Sequence, residues 1–175
     1  MRVTTTGLVG IGTQGPAELR QMIAGFVPQV QARAAAHSAY WEAFYHGQAA
    51  LRDLKQLASK LTRLLAAYID DDTPLMRALQ AAYRGAPRTE ATILGRLRAL
   101  LPVWEGLNAQ RAALSSPEPP IHVFQRARGL NVAAVQSLLA AYARHVETIQ
   151  EKAAQLKRAR TALRTHERAT DRLNK

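Results

Sequence analysis

Towards the end of the chain, apolar residues recur at Val135, Leu139, Tyr142, Val146, Ile149, Ala153 and Leu156, with Leu163 further on. The steps alternate between four and three residues, which lines all of these side chains along one seam of an α-helix. Asn131 is placed to cap that helix, because its side-chain oxygen can accept from the free amides of the first turn. The pattern predicts a single helix over residues 132–173. With a rise of ~1.5 Å per residue it is roughly 60 Å long and needs partner helices along its length.

A second long pattern precedes it. Phe44, Leu51, Leu54, Ala58, Leu61, Leu65 and Tyr68 keep the same spacing, and Leu57 and Leu64 widen the stripe. A stripe broader than a two-position seam predicts contact with more than one neighbouring helix. Upstream, Pro16 suits the first position of a helix that runs through Leu19, Met22 and Ile23 towards Gly25. Pro28 is expected either to kink that helix or to start the long one, which then ends at Asp70-Asp71-Asp72.

Two shorter helices fall between the long ones. Thr73 and Pro74 open the first, whose face is Leu75, Met76, Leu79 and Tyr83, with Gly85 placed to close it in a left-handed conformation. Thr89 opens the second, which carries Ile93, Leu94, Leu97, Leu100 and Leu101, kinks at Pro102 and continues to Leu114. The run Ser115-Ser116-Pro117-Glu118-Pro119-Pro120 is the clearest break, and residues 121–129 read as an irregular crossing segment.

These elements predict an all-α fold. Its form is an elongated helical bundle with two long antiparallel heptad-bearing helices, about 28–69 and 132–173, and shorter helices between them. Residues 1–15, which hold Gly7, Gly10, Gly12 and Gly15, read as a flexible N-terminal arm, and residues 16–175 as one bundle or coiled-coil domain. Leu54, Leu61, Leu65, Leu139, Val146 and Ile149 are the seam positions expected in the core or at a helix interface. The 89–114 helix is too short to cover both long helices. The remaining apolar surface would exceed what a monomer tolerates, so a homodimer is the expected state.

Composition agrees with helix and narrows the classes of function. The chain has 175 residues, rich in Ala and Leu, with 6% aromatic residues and no cysteine, which removes disulfides and thiolate metal sites. No apolar run is long enough to span a bilayer and the N-terminus lacks a secretory pattern, so no membrane insertion and a cytoplasmic location are expected. Net charge is +11, distributed as +3 over residues 1–70, +1 over 71–125 and +7 over 126–175. An anionic partner, either an acidic protein or nucleic acid, is therefore considered.

Candidate chemistry is sparse. Gly7-Leu8-Val9-Gly10-Ile11-Gly12 has phosphate-loop glycine spacing without the strand and helix such a loop requires. His37, His46, His122, His145 and His166 lack metal-ligand spacing, and no Glu-x-x-His occurs. Ser115 and Ser116 near His122, and the Asp70–Asp72 run, have ordinary loop composition, so no catalytic set, cofactor or metal is expected. His37, Tyr40, Trp41 and Phe44 share a helix face and read as packing, although such a face can also stack a base.

Residues 77–100 have the outline of a helix-turn-helix, in which Thr92, Arg96 and Arg98 would meet bases or phosphates. Lys157, Arg160, Arg164, Arg168 and Arg172 form a slowly turning basic stripe of candidate anion or nucleic-acid contacts. Glu167 and Asp171 interrupt it, and no aromatic residue is interleaved to stack bases. The leading expectation is a non-enzymatic structural or scaffold protein acting through helix–helix association. The alternative is nucleic-acid binding by the basic C-terminal helix and the 77–100 hairpin.

Overall fold

The computed structural model describes residues 16–71, 73–84 and 89–173. It is all-α, with helices α1 (Pro16–Tyr68), α2 (Pro74–Tyr83), α3 (Glu90–Ala112) and α4 (Val132–Leu173), and one small hairpin of strands β1 (Val123–Gln125) and β2 (Arg128–Leu130). The N-terminal arm and Gly85 lie outside the described residues. No helix among the described residues is long and apolar enough to cross a membrane.

Local signals set most of the helix ends. Asn131 caps α4, its Oδ1 accepting from the Ala134 amide at 2.8 Å. Thr73 caps α2 by accepting from Met76 N at 3.1 Å, and Pro74 takes the position that needs no amide hydrogen. Thr89 and Thr92 form a reciprocal capping box at the start of α3.

Two expectations are corrected. Of the two readings of Pro28, the start of a new helix is overturned: α1 continues through it from Pro16 to Tyr68. Pro28 and Ala24 are both exposed, so the carbonyl left without its amide partner stays within reach of water. The second correction concerns the segment read as irregular, residues 121–129, most of which forms the antiparallel hairpin, with Val123 opposite Leu130 and Gln125 opposite Arg128. Its two-residue turn places Arg126 at φ 49° and Ala127 at φ 61°. Asn and Gly usually fill such a turn, and their absence left the hairpin without its usual sequence signal.

The chain divides into two compact units, to each of which α1 and α4 contribute a part. Residues 45–146 hold the main core. Leu57, Leu61, Leu65, Leu97, Leu100, Trp104 and Val135 are fully buried there. α3 supplies a broad buried stripe of Ile93, Arg96, Leu97, Leu100, Leu101, Val103, Trp104 and Leu107, as expected of a helix with neighbours on several sides. Polar atoms drawn into this core are satisfied: Trp104 Nε1 donates to Ile121 O at 3.0 Å and Thr62 Oγ1 to Ala58 O at 2.8 Å. The Pro-rich loop after α3 is tied down by Arg111, which pairs with Glu118 at 2.6 Å and donates to Pro119 O.

The other unit, residues 1–44 with 147–175, is described for 16–44 and 147–173 and is a helix pair. Gly25 and Phe26 lie at His166, Arg33 at Arg160 and Arg164, and His37 near Leu156 and Arg160, so the two helices run antiparallel within it. At Gly25 an added Cβ would stand 2.9 Å from His166 Cε1, so a larger residue there would require the imidazole to shift.

Candidate functional site

The seam leucines have found their cover within the chain. Leu54, Leu61 and Leu65 are buried in the 45–146 core, and Leu139 and Val146 pack half-buried against it. Ile149 is half-buried in the helix pair. A run of exposed apolar side chains lies on another stretch, where Ile23, Phe26, Val27 and Val30 fall on one side of α1 at steps of three, one and three. Residues 21–32 contain no charged side chain.

Beside that face, a groove runs between α1 and α4. Its cavity of about 460 Å³ is lined on one side by His37, Tyr40 and Trp41, and on the other by Ala153, Leu156, Lys157, Arg160, Thr161 and Arg164. It continues into a second hollow where Arg33 joins Arg160, Leu163, Arg164 and Glu167. The aromatic wall is held in order. Trp41 Nε1 donates to His37 Nε2 at 2.9 Å, and Trp41 meets Tyr40 and Phe44 edge to face at 5.4 and 5.5 Å. With its indole N–H engaged and 39% of the residue exposed, Trp41 still has ring surface available for stacking.

The basic run thus acquires aromatic neighbours from a helix more than a hundred residues earlier in the chain. Lys157, Arg160 and Arg164 line the groove, while Arg168 is exposed on α4 outside these two hollows. The side chain of Arg172 lies outside the described residues. From Lys152 to Thr165 inclusive the chain carries five cations and no acid.

The helix-turn-helix outline takes a different form. Thr92 is occupied in the cap of α3. Arg96 is 7% exposed, donates to Tyr83 O at 3.1 Å and lies 4.7 Å over the Tyr83 ring. Thr92 and Arg98 both stay exposed. α3 is the central core helix of its unit, and a groove-reading helix has to stand free on the surface.

A further cavity, about 480 Å³, opens where the hairpin meets α1 and α4, lined by Asp53, Leu54, Arg126, Arg128, Tyr142 and His145 among others. Arg126 pairs with the Asp53 carboxylate, and Gln125 donates to Asp53 O at 3.2 Å, holding the hairpin against α1. Burial, and then the Glu90 carboxylate that accepts from its hydroxyl, push the Tyr142 phenol up to about 12. No sequence pattern pointed to this cavity, because its lining comes from three separated segments.

Comparison with protein-family models, with curated proteins and with solved structures finds no match for this chain. The fold therefore defines a class only, an all-α helical bundle.

Proposed function

We propose that this is a non-enzymatic structural or scaffold protein that works through coiled-coil-like helix–helix association, as a homodimer, with the helix pair providing the contact. The observation that carries this is the exposed apolar side of α1 at Ile23, Phe26, Val27 and Val30. A lone pair of helices buries little of its own apolar surface, so such a face gains by meeting another helix. Because residues 21–32 are uncharged, a second copy meets it without like-charge repulsion, in spite of the overall charge of +11. A two-fold arrangement is the simplest closed assembly for a self-complementary patch.

Light scattering on size-exclusion eluate tests this directly. The wild-type chain is expected to run as a dimer at both low and high salt. The pair Ile23→Glu and Val27→Glu should convert it to a monomer of unchanged helicity, since both side chains are exposed within one copy. A wild-type chain that stays monomeric throughout the micromolar range sinks the reading.

A further inference from the structure

We propose that the groove between α1 and α4 in the helix pair binds single-stranded nucleic acid, with bases stacking at Trp41 and phosphates held by Lys157, Arg160 and Arg164. Two chemistries meet in that groove, and few ligands need both. One wall is aromatic, with Trp41 oriented by His37 and by its edge-to-face neighbours. The other carries three cations on successive turns of α4, and Arg33 adds a fourth where the groove continues. Glu167 is the one acid along this lining, at its far end.

Cations alone would suit any polyanion. The rings narrow the choice, since every base has a π-face that can stack on an aromatic side chain whatever the sequence. A duplex keeps those faces inside its stack and would present only phosphates. An acidic peptide supplies carboxylates without a regular supply of planar rings. The groove also runs past one ring cluster to Arg33, which fits a chain of several nucleotides better than one nucleotide. This inference does not rest on the association reading, because the groove residues differ from Ile23, Phe26, Val27 and Val30.

The test uses the full chain and fluorescein-labelled oligothymidylate and oligoadenylate, read by anisotropy, with matched duplex, ATP and phosphatidylserine vesicles as competitors. Both oligomers should bind. Three phosphate contacts on a single strand predict about 20-fold weaker binding on going from ~50 to ~200 mM salt. Arg160→Ala with Arg164→Ala should flatten that dependence. Trp41→Ala should weaken binding roughly tenfold with the salt dependence unchanged, and Trp41→Phe should keep most of the affinity.

Trp41 and Trp104 are the only tryptophans, and Trp104 is fully buried. Binding should therefore quench tryptophan emission in the wild type and not in Trp41→Phe. Far-ultraviolet circular dichroism confirms that each variant is folded. No binding at ~50 mM salt overturns the proposal. So does duplex binding as tight as single-strand binding with no effect of Trp41→Ala, ATP competing as well as the oligomer, or vesicle binding without oligomer binding.

Discussion

Residues 45–146 and the helix pair of 16–44 with 147–173 draw on the same two long helices, yet they bury their side chains very differently. In the first unit, α1 and α4 are joined by α3, α2 and the hairpin, and a continuous apolar cluster runs from Leu54 to Tyr142. In the second, Leu156 and Leu163 are the only buried apolar residues among those described. The difference shows that heptad spacing alone does not make a core. The same periodicity gives a sealed interior where a third helix is present and a wet groove where it is absent. The exposed apolar run of α1 and the groove that joins aromatic and basic side chains both lie in the helix pair.

The sharpest way to break this contrast is to place a charge in the sealed unit. Leu61→Asp puts an unpaired carboxylate at a fully buried position and should unfold residues 45–146, with loss of cooperative melting by circular dichroism. Retention of a native melt would show that Leu61 is not in the core. Milder truncations compare the units directly. Leu97→Ala should cost ~2–5 kcal/mol in denaturant unfolding, while Leu163→Ala should cost less, because a helix pair can close over the lost volume. Equal losses would mean that the helix pair is packed as tightly as the core.

Tyr142 gives a test within the sealed unit that depends on pH. Its phenol is raised from 10.0 to about 12, so the folded chain holds that proton more firmly than the unfolded one. Its contribution is complete below pH 10 and is lost as pH rises from 10 through about 12. Tyr142→Phe should remove the fall in urea midpoint across that window. An identical slope in the variant would assign the effect to another group.

The smallest expected effect lies in the hairpin turn. Ala127 holds a left-handed backbone that disfavours a Cβ, so Ala127→Gly should stabilise residues 45–146 by ~1 kcal/mol or leave them unchanged. A clear loss of stability would show that the Ala127 side chain contributes packing.

Much of the helical framework was legible in local patterns, since caps and periodicity act over a few residues. Asn131, Thr73 and Thr89 all cap as their positions indicate, and Leu54, Leu61 and Leu65 are core residues. The hairpin was not legible, because Arg126 and Ala127 adopt turn dihedrals that their side chains do not advertise. The candidate groove was half legible. The basic run and the aromatic face could each be read, but the run lacked stacking residues within its own stretch.

Periodicity, capping residues and composition determined that this chain is helical and where most of its helices begin, because those signals are carried by neighbours in sequence. Tertiary structure alone decided which faces stay covered and which stay open. It buried Arg96 against Tyr83, and it set Trp41 opposite Arg160 and Arg164. The physical reason is that burial and electrostatic surroundings depend on side chains brought together from distant parts of the chain, which no local pattern specifies.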